Sequence, residues 1–232
     1  MTVPAAAIIV AAGRGQRFGG GVPKCFVPLA GKPMFLWSLE AFYQAPVIHW
    51  IALVVPPGLE KVAASHLPAS AKAVPTLVLP GGSERWQSAA VGIEAVARFK
   101  PDVVAIHDGA RPLVTPDLIS RCIAAAGQAG AAIAAVPATD TLKRVRGGRV
   151  VGTLDRACVW HAQTPQAFRT DVIEQAYSRA REQKWRATDD AGLVEKLGIR
   201  PAVVQADPHN LKITTPSDLI VAEALLRDRH TI

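Results

Sequence analysis

The residues with the clearest chemical potential follow the first apolar run, where AAGRGQRFGGGVPK interleaves glycines with Arg14, Arg17 and Lys24. Glycines and the small Ala11 and Ala12 let a backbone come close to a ligand and turn N–H groups toward phosphate oxygens, with Gly13 and Gly15 at the centre of the cradle. The cations add what a triphosphate requires, since amide donors and positive charge together stabilise a phosphoryl group as charge builds on it. The plainer alternative is a glycine-rich turn with no ligand. The spacing is not GxxxxGK[ST], and GxGxxG fails where Phe18 stands, so a P-loop and a dinucleotide-binding fingerprint are both set aside.

Two further segments carry chemistry. GGSERWQSA places Gly81 and Gly82 where backbone could meet a flat base, with Ser83 expected to cap the helix that follows; a simple strand-to-helix turn reads equally well. HDGARP puts Asp108 and Arg111 at the carboxyl end of a strand, the edge at which α/β sheets bind ligands. Asp108 is a candidate for a ribose or a Mg²⁺ ion, the alternative being a carboxylate paired with Arg111 inside the turn.

These segments need a scaffold, and the hydrophobic pattern supplies one. Short apolar runs at residues 6–10, 51–55, 76–79, 103–107, 131–136 and 202–204 read as strands, and between them Phe35, Leu39 and Phe42, then Ala89, Ile93 and Val96, then Leu118 and Cys122 share helical faces. The alternation predicts an α/β fold with a single doubly wound, mostly parallel sheet flanked by helices. Thr115-Pro116 and Thr215-Pro216 mark helix starts, the second with Asp218 in a capping-box position. From about 137 to 160 the rhythm breaks, and KRVRGGRVVGTLDR reads as a protruding β-hairpin arm turning at Gly147-Gly148.

Composition agrees with a soluble globular chain of 232 residues, 50% hydrophobic and 19% charged. No apolar run reaches the roughly 18 residues of a membrane span, so no membrane partner and a cytoplasmic location are expected. Cys25, Cys122 and Cys158 are scattered and show neither disulfide nor zinc spacing. The net charge of +7 raises a basic nucleic-acid-binding protein as a remote alternative, but the bases are dispersed and no aromatics interleave with them, so no nucleic-acid partner is expected.

Taken in order, the glycine-rich cradle, HDGARP, DTLK at Asp140, TLDR, WHAQTPQAF, TDD and NLKITTPSDL resemble the 2-C-methyl-D-erythritol 4-phosphate cytidylyltransferases across the entire chain. The resemblance implies transfer of CMP from CTP to a polyol phosphate, with pyrophosphate released, in the non-mevalonate route to isoprenoid precursors. It implies that Arg17, Lys24 and Lys212 act on the phosphates, that Gly81, Gly82 and Ser88 meet cytosine, and that Ala11 and Ala12 lie near the ribose. For the acceptor it implies Thr141 and Arg156 on the arm and Thr188 ahead of a helix, with Arg111 and Thr164 as further candidates. Thr188 reads equally well as an ordinary N-cap. Mg²⁺ is expected mainly through the CTP phosphates, with Asp108 as a candidate ligand. The whole of 1–232 then forms one nucleotidyltransferase domain whose arm, at about 137–160, reaches a second copy in a homodimer. Three residues depart from the family pattern: Cys25 replaces a glutamine, Ser83 an aspartate, and His209 an acidic residue. The nearest rival is a ribitol 5-phosphate cytidylyltransferase, which shares most of these motifs.

Overall fold

The computed structural model describes residues 3–13 and 21–231. The chain enters through β1 (Ala5–Val10), then β2 (Pro28–Leu29), β3 (Lys32–Pro33), α1 (Met34–Gln44), β4 (Ile48–Val55), α2 (Glu60–Ser65), β5 (Thr76–Pro80), α3 (Arg85–Ala97), β6 (Val103–Asp108) and α4 (Pro116–Ala129). It continues through β7 (Ala131–Pro137), β8 (Lys143–Arg146), β9 (Arg149–Thr153), β10 (Trp160–Arg169), α5 (Thr170–Gln183), α6 (Asp190–Glu195), β11 (Ala202–Gln205) and α7 (Pro216–Thr231).

All of β1 is buried, and the two-residue period of a strand sends alternate side chains to opposite faces. Ala5, Ala7 and Ile9 join Phe35, Leu39 and Phe42 of α1 and Leu118 and Cys122 of α4 in one core. Ala6, Ile8 and Val10 join Ala89, Ile93 and Val96 of α3 and Ile173 and Tyr177 of α5 in the other. A strand covered on both faces sits at the middle of a three-layer sandwich, which is why its sequence is a continuous apolar run rather than an alternation.

The main sheet has seven strands in the order β11-β7-β10-β6-β1-β4-β5. The pairings of β1 with β4 and β6, of β4 with β5 and of β7 with β11 are parallel. The fold is therefore the expected α/β sheet with helices on both faces, and the six strands read from sequence are all present. One strand is not among them: β10 runs antiparallel between β6 and β7. Its centre, Gln163-Thr164-Pro165-Gln166, is polar and contains proline, and the pairing register shifts between Ala162 and Gln166. Those are the features that hide a strand from a hydrophobicity pattern.

The hairpin β8–β9 lies where the arm is expected, paired from Lys143 opposite Thr153 to Arg146 opposite Arg149. Gly147 and Gly148 have φ of 55° and 73°, as a two-residue hairpin turn with both central residues left-handed demands. Val145, Val150 and Val151 are 58%, 63% and 56% exposed on it. Among the described residues no helix is long and apolar enough to cross a membrane.

Helix α3 lies close against β1 because Gly92 gives it room: a Cβ at this position would collide with the Ile8 side chain. Gly92→Val is expected to lower unfolding free energy by about 1–3 kcal/mol, measured by urea denaturation, despite the better helix propensity of valine.

Candidate active site

Because β6, β1, β4 and β5 run parallel, their carboxyl ends share one rim, and the segments singled out from sequence converge there. Ala11 and Ala12 leave β1, Gly81 and Gly82 leave β5, and Asp108 ends β6. Ala12, Gly82 and Asp108, together with Gly13, Lys24, Ser88 and Lys212, line a hollow of about 160 Å³. Arg14, Gly15 and Arg17 lie outside the described residues.

The floor of the hollow is a chain of ion pairs. Asp108 Oδ2 meets Lys212 Nζ at 2.7 Å, and Asp108 Oδ1 meets Arg85 Nε at 2.8 Å. Arg85 Nη1 reaches Asp190 Oδ2 at 2.8 Å, and the Tyr177 hydroxyl donates to Asp190 Oδ1 at 2.6 Å. Burial alone pushes the Asp108 carboxyl up, but the charges of Arg85 and Lys212 outweigh it and hold the group well below the usual carboxylate range. Burial likewise pulls the Arg85 guanidinium down, and Asp190 and Asp108 more than reverse that.

This geometry corrects two expectations for Asp108. Its partner is not Arg111. Nor does it offer an open coordination site, because both of its oxygens already face cations; a metal there would have to displace Lys212 or Arg85. Among the described residues no group of three or more His, Cys, Asp or Glu side chains could hold a metal ion. Among the described residues, Asp108 therefore offers no unpaired oxygen to a protein-held Mg²⁺.

Lys24 donates to the Ile213 carbonyl at 2.7 Å, and the Ile213 N–H donates to the Ala110 carbonyl at 2.8 Å. The residue after Lys212 is thereby clamped between the HDGARP turn and Lys24, so the two lysines hold a fixed relation. Asn210 anchors the same segment from the other side, its amide donating to Gln163 Oε1 at 2.8 Å and to the Thr164 carbonyl at 2.9 Å.

Arg111 and Thr164 turn inward. Arg111 is 9% exposed, and its guanidinium donates to the Asn210 carbonyl at 2.8 Å, which ties the turn to the Lys212 segment. Thr164 is 4% exposed, and its hydroxyl accepts from the Asp108 N–H at 3.1 Å and lies 3.0 Å from His107 Nδ1. His107 Nε2 lies 3.2 Å from the Arg111 carbonyl, which can only accept. The Nε2–H tautomer satisfies every partner: Nε2 donates to that carbonyl, and Nδ1 accepts the Thr164 proton. Thr164 thus fixes the backbone of Asp108 rather than presenting its hydroxyl to the hollow.

The turn after β5 needs its glycines. A Cβ on Gly81 would collide with Ala12 and Ser88, and one on Gly82 with Gln87. Ser88 is buried, accepting from the Gly82 N–H at 3.2 Å and donating to the Glu84 carbonyl at 3.3 Å, so it shapes the turn from beneath. The cap of α3 is Glu84, in a reciprocal capping box with Gln87, and not Ser83, whose hydroxyl donates to Gln87 Oε1.

A larger hollow of about 650 Å³ lies on the far side of Arg85, with Thr188, Asp189, Trp185 and Trp86 in its wall. Lys24, Lys212 and Gly82 line the smaller hollow and not this one. Thr188 is exposed, and the N-cap of α6 is Asp189, which accepts from the Gly192 N–H at 3.0 Å; the N-cap reading of Thr188 is therefore corrected. Thr141 and Arg156 are exposed on the arm and line neither hollow of their own chain. Arg156 donates to the Thr139 carbonyl at 2.8 Å. Cys25 is buried beside Lys24, and burial pushes its thiol up to about 11 in spite of that charge, which leaves it no role as a nucleophile.

Sequence reasoning missed Arg85, Asp190, His107 and Asn210. Each lay inside a quoted segment, but a lone arginine in the first turn of a helix reads as a solvated side chain. Only the fold shows that Asp108 and Asp190, 82 positions apart, face it from both sides.

Residues 5–228 match the family model for 2-C-methyl-D-erythritol 4-phosphate cytidylyltransferase. The chain is 44% identical over 220 residues to the enzyme of that name from Prochlorococcus marinus (strain MIT 9313), covering 94% of this chain and 96% of the other. It is 43% identical over 226 residues to that of Synechococcus sp. (strain CC9902), covering 97% and 98%. Among solved structures, the 2-C-methyl-D-erythritol 4-phosphate cytidylyltransferase of Thermus thermophilus superposes with a TM-score of 0.78 at 34% identity, covering 98% of this chain and 100% of that one. The 4-diphosphocytidyl-2C-methyl-D-erythritolsynthase of Anaerococcus prevotii DSM 20548 gives 0.84 at 28% identity, covering 97% and 96%.

Burial pushes the His107 imidazole down to about 3, so the folded protein holds it neutral while the unfolded chain protonates it near pH ~6.5. Between these values the unfolded state binds more protons, and stability rises with pH. Acidification from about pH 7 to about pH 5 is expected to remove roughly 1–2 kcal/mol of unfolding free energy through this group, read by urea denaturation. His107→Gln should flatten the dependence in that window, and an equally steep slope in the variant would contradict the assignment.

Proposed function

The chain belongs to the 2-C-methyl-D-erythritol 4-phosphate cytidylyltransferase family, and from that premise we propose how its residues divide the work of transferring CMP from CTP to 2-C-methyl-D-erythritol 4-phosphate. The reaction belongs to the non-mevalonate route to isoprenoid precursors. A phosphate oxygen of the acceptor attacks the α-phosphorus of CTP, a P–O bond forms, the bridging bond to the β-phosphate breaks, and pyrophosphate departs in line. Little proton transfer is needed, so positioning and electrostatics supply most of the rate.

The observation that carries the reading is the convergence of Lys24 and Lys212, locked together through Ile213, on a rim that also carries the Gly81-Gly82 turn. In this assignment Lys24, Lys212 and Arg17 neutralise charge on the phosphates. The backbone of Ala11, Ala12, Gly13 and Gly15 follows the ribose and triphosphate, and the Gly81-Gly82 turn, shaped by Ser88, takes the cytosine. Asp108 orients Lys212, while Thr164 and Arg111 hold Asp108 and the Lys212 segment in place. Mg²⁺ enters as part of the substrate, carried on the CTP phosphates, where it lowers their charge.

The acceptor is assigned to Thr188 and, from a second copy of the chain, to Thr141 and Arg156. Support for the second copy comes from the arm itself, whose valines are exposed and whose arginine fork, suited to phosphate, lines neither hollow of its own chain. The functional unit is thus a homodimer. Its substrates are small soluble anions, and the location that suits them is the cytoplasm.

Pyrophosphate release from CTP is expected with 2-C-methyl-D-erythritol 4-phosphate as acceptor and to be far slower with ribitol 5-phosphate; equal turnover of the latter would sink the acceptor assignment. In the same assay Lys24→Ala and Lys212→Ala should each lower kcat/KM by at least ~100-fold, and EDTA should stop turnover. Mixing inactive Lys24→Ala chains with inactive Arg156→Ala chains should restore about a quarter of wild-type activity, since half the dimers are mixed and each has one intact site. No recovery on mixing would place Arg156 in the site of its own chain.

A further inference from the structure

Arg85, the first residue of α3, forms the wall between the two hollows, and its guanidinium is divided between Asp108 and Asp190. Asp190 is 1% exposed and fixed on its other oxygen by the Tyr177 hydroxyl. Asp108 is 7% exposed, so both carboxylates depend on these partners far more than on water. Along this chain of contacts the charges of Lys212 and Arg85 balance those of Asp108 and Asp190.

We infer that Arg85 is a positioning residue for the transfer reaction: by dividing its charge between Asp108 and Asp190 it sets how tightly Asp108 holds Lys212 and offsets the two carboxylates beside the nucleotide hollow. The inference rests on reading that hollow as the CTP site.

The physical argument is one of balance. Without the Arg85 charge, two buried carboxylates share one ammonium group. Asp108 then draws Lys212 toward itself with nothing on its other oxygen to oppose it, and the uncompensated carboxylate charge beside the hollow disfavours a triphosphate. Without the Asp190 charge, the full guanidinium charge falls on Asp108, Lys212 is released toward the ligand, and the chain of ion pairs carries one positive charge in excess. Removing both charges leaves the Lys212–Asp108 pair alone and balanced. An arginine serving only to hold α3 and α6 together predicts something else: each loss weakens the site, and the double loss weakens it most.

The test is the affinity of the full-length protein for CTP with Mg²⁺, measured by calorimetry on wild type, Arg85→Gln, Asp190→Asn and the double variant. Asparagine keeps an acceptor for Arg85, and its amide can donate to the Tyr177 oxygen. Arg85→Gln is expected to raise the Kd at least roughly tenfold, Asp190→Asn to lower it, and the double variant to return within about threefold of wild type. A Kd for Arg85→Gln near that of wild type, weakened binding in Asp190→Asn, or a double variant no better than Arg85→Gln would each overturn the inference. If a single variant fails to fold, the balanced double variant decides, and its failure to bind CTP overturns the inference as well. Absence of CTP binding by the wild type removes the functional reading and this inference with it, whereas wild-type binding without the opposed shifts removes only the inference.

Discussion

The charge on Asp108 sits at the end of a strand that is buried along its whole length, and a carboxylate there persists only because two cations face it. Desolvation of such a group is costly, and a partner removed from one side leaves an uncompensated charge in a low-dielectric setting. The pocket is organised around meeting that demand. Lys212 comes from the segment before the last helix, Arg85 from the start of α3, and Asp190 from the start of α6. These are parts of the chain with no local relation to one another, and the need to satisfy one carboxylate draws them to a single point.

The doubly wound sheet makes this arrangement possible. Parallel strands place their carboxyl ends along one rim, and the chain reverses direction beside β1, opening a crevice. The layer beneath is dense: Phe42 packs against His107 with ring centroids 5.2 Å apart, and His107, Thr164 and the Asp108 N–H form one hydrogen-bonded relay. That relay is neutral, since burial excludes the imidazolium form. The rim carries charge while the relay below it carries geometry, and the separation keeps the charges from being diluted by water from within.

Much of this is legible in the sequence because it depends on local pattern. The apolar runs give the strands, Gly147-Gly148 gives the arm, and Gly13 and the glycines before Arg85 give the pocket edges. What is not legible depends on contacts between distant segments. Strand β10 has a polar centre because Gln163 and Gln166 are satisfied by Asn210 and by the Asp189 and Ala191 groups, and no hydrophobicity pattern anticipates those partners. Asp108 and Arg111 lie three positions apart and read as a pair; in the fold each finds a better partner elsewhere. Thr188 reads as an N-cap, but Asp189, one position on, is the side chain that reaches the Gly192 N–H.

The distribution of thiols has a practical side. Cys25 and Cys122 are buried, and burial holds both in the protonated form, Cys25 at about 11 and Cys122 at about 12. Cys158 is exposed, two positions after Arg156 on the arm. Because maleimide dyes and spin labels react with accessible thiolates, the natural sequence provides a single addressable attachment point. It is located where a reporter would sense whether the arm is packed or swinging in solution, without engineering any residue of the pocket.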